Sequence, residues 1–160
     1  MKIEYNNLYT HFIFTTLHRL PLISENYRIR IEKYISGIIN HNNCQLYAIY
    51  ANPDHVHFLV SRSPDIDEQT LATIIEVSSK EFINENKLCT VKFEWQKSAS
   101  AFSVSKGDID KVCKYILNQK EHHRKHTFSE EYELFMKHYQ QTIDLKNKAK
   151  KVNDNKLIDD

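Results

Sequence analysis

Apolar and polar side chains alternate from Leu8 to Thr16, with Leu8, Thr10, Phe12 and Phe14 on one side and Tyr9, His11, Ile13 and Thr15 on the other. That period of two predicts a first strand, broken by Arg19, Leu20 and Pro21. Ser24, with Glu25 and Asn26, offers an N-cap to Tyr27, Ile31, Ile35, Ile38 and Ile39, whose helical spacing runs to about His41 and stops at Asn42-Asn43. Leu46 to Ala51 is a short apolar and aromatic strand. The turn formers Asn52, Pro53 and Asp54 then send the chain into a strand that starts abruptly at His55 and reaches Val60. After Pro64-Asp65, Leu71, Ile74, Ile75, Ser78, Phe82 and Ile83 predict a helix over Ile66 to Glu85. Thr90 to Trp95 alternates like a strand exposing Lys92 and Glu94.

The resulting order, β-α-β-β-α-β, is that of a ferredoxin-like (RRM-like) α+β antiparallel sheet. In that arrangement the first and third strands are central, both helices cover one face, and the other face is left open. Ser98 to Lys106 reads as a non-strand segment. Beyond Gly107-Asp108, Ile109 to about His126 predicts a third helix, and Ser129-Glu130-Glu131 opens a fourth reaching about Tyr139. At 160 residues the chain fits one domain, expected over 1–143, followed by a polar tail from Asp144 to Asp160 that carries Lys146, Lys148, Lys150 and Lys151.

Composition narrows the function classes. Twenty-two basic and 21 acidic residues leave a net charge of +1, so affinity for nucleic acid must rest on local patches or histidines. The three cysteines, Cys44, Cys89 and Cys113, are odd in number and show no C-x-x-C spacing, which suggests reduced thiols in a cytoplasmic protein. No leader or apolar run of the roughly 18 to 20 residues a membrane span requires is expected. With only Gly37 and Gly107 present, glycine-rich phosphate loops are excluded by count.

Two groups of residues carry candidate chemistry. His55 and His57 share one face of their strand with Leu59, while Val56, Phe58 and Val60 face the core, so two imidazoles stand side by side as potential metal ligands or acid-base groups. On the third helix, Ile109, Val112, Ile116 and Leu117 form an apolar stripe, and Tyr115, Gln119, His122 and His126 follow a neighbouring one. Tyr115 and Gln119, one turn apart, can reach one small site. His122 and His126 have the spacing of a ligand pair, but Lys120, Arg124 and Lys125 around them suit a phosphate backbone better than a cation.

His55-Val56-His57, followed further on by Tyr115-Ile116-Leu117-Asn118-Gln119, resembles the single-tyrosine HUH transposases of bacterial insertion sequences (IS200-like, transposase A type). His11 to Thr16 ahead of Arg19-x-Pro21, Pro53-Asp54, Ser78-Ser79-Lys80, Trp95-Gln96, Ala101 to Ser105 and Tyr115 to His123 match that family's blocks in order, over Leu8 to Tyr139. The resemblance implies an enzyme that cleaves and rejoins single-stranded DNA with hairpin ends. Tyr115 would be the nucleophile forming a 5′-phosphotyrosine, and His55, His57 and Gln119 would hold Mg²⁺ or Mn²⁺. It further implies a homodimer whose tyrosine helix completes the partner's site, and the segment Ser98 to Lys106, read as non-strand, would serve as the hinge. Arg19, Lys80, Lys120, His122, Arg124 and Lys125 are the expected DNA contacts.

Three departures from the family pattern bear on DNA handling: Leu17 in place of a lysine, Glu76 before the Ser78-Ser79 pair, and Ser98-Ala99-Ser100 in place of Gly-Tyr-Gly. Two alternatives stand beside this reading. One is a domesticated relative acting on dispersed palindromic repeats. The other is a non-catalytic module that stacks bases of single-stranded nucleic acid on exposed sheet aromatics around Tyr9.

Overall fold

The computed structural model describes residues 1–127, 129–134 and 136–137. Its elements are β1 (Tyr9–Thr15), α1 (Glu25–His41), β2 (Gln45–Ala51), β3 (His55–Ser61), α2 (Glu68–Glu85), β4 (Ser100–Val104), α3 (Ile109–Leu117) and α4 (Gln119–Lys125), with short 3₁₀ turns at Leu17–Arg19 and Lys106–Asp108. The strands form an antiparallel sheet in the order β2-β3-β1-β4, so β1 and β3 are central as the ferredoxin-like order requires.

Strand alternation decides the two faces. Phe12 and Phe14 of β1 and Val56, Phe58 and Val60 of β3 meet Ile31, Ile35 and Ile39 of α1 and Leu71, Ile75 and Ile83 of α2 in the main core. α1 begins after Ser24 and stops at Asn42, with Asn43 at φ 56°, a left-handed conformation that asparagine tolerates. α2 starts at Asp67, whose carboxylate accepts the Thr70 N–H at 2.7 Å and so satisfies one free helix-end donor. Glu32, buried on α1, accepts from the Ala51 N–H at 2.9 Å and from Arg28 at 2.9 Å, which blunts the end of edge strand β2.

The fourth strand is not where the alternation placed it. Thr90 to Trp95 is irregular, joined to the sheet only through a bridge between Trp95 and Thr16. Its alternation is real but serves another end, because Phe93 and Trp95 are anchors plugged into the main core. The backbone partner of Phe93 is the side chain of Asn84, which accepts the Phe93 N–H at 2.8 Å and donates to the Phe93 carbonyl at 3.0 Å. Trp95 donates Nε1–H to the Ser79 hydroxyl at 2.9 Å. The strand is instead Ser100–Val104, weak in β propensity and held at the sheet edge by pairing with β1.

Nor is the second face open. α3 lies over β2 and β3, and Ile116 packs with Tyr9, Ala48 and Leu59 in a second cluster. The stacking-module reading loses its platform there, since Tyr9 is buried. The continuous third helix is in fact two helices, divided at Asn118, whose φ −95° and ψ 14° leave the helical range.

The chain divides into two units, Met1–Lys120 and the part from Glu121 onward. In the second, Thr127 and Glu130 form a reciprocal cap, Thr127 N–H to the Glu130 carboxylate at 2.8 Å and Glu130 N–H to the Thr127 hydroxyl at 3.3 Å. Residues 129–134 and 136–137 are helical. The remainder of the expected helix to Tyr139 and the tail from Asp144 lie outside the described residues. Among the described residues no helix is long and apolar enough to cross a membrane.

Candidate active site

The turn before β3 is pinned from outside. Thr16 N–H donates to the Asp54 carbonyl at 2.9 Å and Ile23 N–H to the Pro53 carbonyl at 2.9 Å, so the segment after β1 fixes where β3 begins. His55, the first residue of β3, faces α3 and is buried. Its Nδ1 lies 2.6 Å from Oδ1 of Asp54. A carboxylate only accepts, so Nδ1 of His55 carries the proton and Nε2 presents a lone pair.

His57, two residues on, is fully buried, and its ring centroid is 5.1 Å from that of His55. Behind it stands His11 of β1, whose Nε2 is 2.9 Å from Nδ1 of His57. Burial pushes the pKa of His11 down to about 4, so this imidazole is neutral near pH 7. When His57 donates Nδ1–H to it, Nε2 of His57 is left with its lone pair.

α3 and the start of α4 bring the second group of residues to the same place. The partly buried Tyr115 ring stands edge-on to His57, with centroids 5.7 Å apart and planes at 89°, and is 6.3 Å from His11. Gln119 is fully buried. The break at Asn118 turns it inward between the exposed Leu117, Asn118 and Lys120. Its Nε2 donates to the Tyr115 carbonyl at 3.4 Å, and its Oε1 accepts from Nδ2 of Asn52 at 3.2 Å. The same Nδ2 is 3.1 Å from Nε2 of His55. The residues flagged in sequence, His55, His57, Tyr115 and Gln119, thus converge within one chain on the face of β1 and β3 covered by α3.

The family model "Transposase IS200 like" matches residues 4–119, well over half of the chain and all of this site. The chain belongs to the IS200-like transposase family. It is an enzyme of the single-tyrosine transposase type. Solved structures that share the fold include two transposases: a chain designated a transposase from Deinococcus radiodurans R1, at 20% identity and TM-score 0.58, covers 74% of this chain and 96% of its own. The other, a REP-associated tyrosine transposase bound to a REP hairpin, has 17% identity and TM-score 0.55 and covers 76% of this chain and 74% of its own. No functionally curated protein matches the sequence.

The transposase family implies a divalent metal, and the donor set fits one. Within Met1–Lys120, the residues that could hold it include two buried imidazoles, each backed at Nδ1 by a second side chain, and a buried amide oxygen. Backing of this kind fixes ring orientation and tautomer in metal-binding histidines.

The expected DNA contacts fall into separate groups. Lys120, His122, Arg124 and Lys125 share α4, with Arg124 3.5 Å from Glu121. Burial and the neighbouring His126 lower the pKa of His122. Arg19 is exposed beyond the end of β1 at φ 55°. Lys80 lies between carboxylates, 3.4 Å from Glu76 and 3.6 Å from Glu94. All three departures in sequence, Leu17, Glu76 and Ser98 to Ser100, line one cleft of about 930 Å³ between α2 and the segment leading into β4. Glu76, where a cation would suit a phosphate, answers Lys80 within the protein.

Sequence reading passed over His11 and Asn52 as site residues. Period-two alternation already put His11 on the α3 side of β1. Its meeting with His57 depends on strand register, where Ile13 is opposite His57 and His11 opposite Leu59. Asn52 reads as a turn former, and nothing in its spacing marks a side chain aimed back at His55.

Proposed function

We propose that this transposase cleaves and rejoins single-stranded DNA at hairpin ends, with Tyr115 as nucleophile and His55, His57 and Gln119 as the residues that would hold a divalent cation. The observation that supports this most is the edge-on placement of the Tyr115 ring 5.7 Å from His57, with Gln119 one turn further along the chain. When bound, the cation polarises the scissile phosphate and helps neutralise charge developing on it. Nitrogen donors favour Mn²⁺ over Mg²⁺, which prefers an all-oxygen shell.

A tyrosine hydroxyl is a weak nucleophile at neutral pH, because its unperturbed pKa is about 10. Held by α3 against a buried site, Tyr115 is brought to its target without a search through conformations. Its oxygen forms a bond to phosphorus as the bond to the 3′ oxygen breaks. The phenol proton passes to solvent, and the departing oxygen gains a proton as a free 3′ hydroxyl. The 5′-phosphotyrosine retains the energy of the phosphodiester, so a second 3′ hydroxyl can attack it and restore both the tyrosine and a continuous strand. No nucleotide is consumed, in keeping with a chain that lacks a phosphate loop.

The solved relative bound to a REP hairpin supports hairpin DNA as the substrate class. A domesticated enzyme acting on dispersed palindromic repeats would use the same residues. We further propose a homodimer in which the segment Ser105 to Asp108 carries the tyrosine helix to the partner. The hinge cannot be the whole of Ser98 to Lys106, because Ser100–Val104 is a paired strand.

The test is incubation of the protein with labelled single-stranded hairpin DNA and Mn²⁺, followed by a denaturing gel. A covalent protein–DNA band that chelator abolishes is expected. A band of equal intensity in excess chelator would contradict the metal-dependent reading.

A further inference from the structure

Asn52 closes a chain of hydrogen bonds whose direction is forced from both ends. At one end, the Tyr115 carbonyl can only accept, so Gln119 gives it Nε2–H and turns Oε1 toward Asn52. At the other, the Asp54 carboxylate can only accept, so His55 donates from Nδ1 and turns the Nε2 lone pair toward Asn52. Both neighbours of Asn52 are acceptors. Its Nδ2 therefore spends its two protons on Nε2 of His55 and Oε1 of Gln119, and Asn52, 4% exposed, has little access to water as an alternative.

Those two atoms belong to two of the three residues proposed above to hold the cation, so the inference rests on that reading of the site. They differ in one respect. An amide oxygen has two lone pairs and can accept from Asn52 while also facing an ion, whereas imidazole Nε2 has one lone pair in the ring plane and serves one partner at a time. Gln119 also keeps its orientation without Asn52, through the bond from its Nε2 to the Tyr115 carbonyl of α3. We infer that Asn52 is a positioning residue that competes with the divalent cation for Nε2 of His55 and thereby weakens the site's affinity for it.

The test is Mn²⁺ affinity, read from the EPR signal of free Mn²⁺ during titration of the full chain, for the wild type, Asn52→Ala and Asn52→Leu. Both variants remove the competing N–H, and the leucine fills the volume should the smaller side chain leave a destabilising cavity; a thermal melt verifies folding of each. Loss of one net hydrogen bond corresponds to a Kd lowered by roughly threefold to tenfold. A damaged fold would not tighten binding, so that direction separates competition from a merely structural role. A Kd unchanged or raised in the folded variants overturns the inference while leaving the site intact. His57→Ala provides the separate check: if its Kd equals that of the wild type, Mn²⁺ does not sit on the histidines, and the assignment of the site falls with the role of Asn52.

Discussion

At the scale of single residues, this site works by pairing each candidate ligand with a group behind it. Asp54 orients His55 and His11 backs His57, so neither imidazole is free to turn within the sheet. His11 carries a consequence for stability. Its folded pKa of about 4 lies below the value of about 6.5 for an exposed histidine, so the unfolded chain takes up a proton that the folded protein refuses. The stability tied to neutral His11 is complete above about pH 6.5 and drains away as the pH falls toward 4. It amounts to something on the order of 3 kcal/mol. Replacing the residue with a neutral one, as in His11→Leu, should remove that dependence. Denaturant unfolding of both proteins in chelator between pH 7 and 4 would show the variant gaining on the wild type as the pH falls. Parallel curves would mean that His11 is not excluded from protonation.

At the scale of elements, alternation predicted strands wherever apolar residues recurred at period two, and it failed once for a physical reason. In Thr90 to Trp95 the apolar positions Phe93 and Trp95 are real core residues, but Trp95 makes only an isolated bridge to Thr16 and the Phe93 backbone is satisfied by Asn84 of α2 rather than by a neighbouring strand. Nothing in a local pattern distinguishes those two partners. β4 escaped notice for the opposite reason, since Ser100, Ala101 and Ser103 have poor strand propensity and the element exists only by pairing with β1. The anchoring role of Asn84 is open to measurement. Asn84→Ala leaves the Phe93 N–H and carbonyl without their partners and should cost about 2 kcal/mol. That loss would appear as a lowered urea midpoint with an unchanged slope. A midpoint within error of the wild type would mean that water takes the place of the amide.

For the whole molecule, the architecture was legible because β1, α1, β2, β3 and α2 each carry strong periodicity and the β2-β3 turn is spelled out by Asn52-Pro53-Asp54. The meeting of His55 and His57 with Tyr115 and Gln119 was legible only through family resemblance. No periodicity links a strand to a helix so far along the chain. What remained hidden, the covering of the second face by α3 and the bonds of His11 and Asn52, depends on register and packing that emerge only when the chain is folded.

The fold also bears on assembly. Tyr115 stands beside the histidines of its own chain, and the proposed dimer would exchange the helix that carries it. Mixing His55→Ala chains with Tyr115→Phe chains tests this, because only a shared site unites an intact histidine pair with an intact tyrosine. Cleavage in the mixture, where each variant alone is inactive, is the expected result. An inactive mixture in which heterodimers are verified to form would restrict the tyrosine to its own chain.

The central claim is that Tyr115 becomes covalently joined to DNA. Its most direct test is protease digestion of the adduct formed on hairpin DNA, with mass spectrometry of the peptide that retains the nucleotide. The expected peptide bears a phosphodiester on Tyr115, and Tyr115→Phe should give no adduct while still binding the hairpin. An adduct mapped to any other residue, or one that persists in Tyr115→Phe, would contradict it.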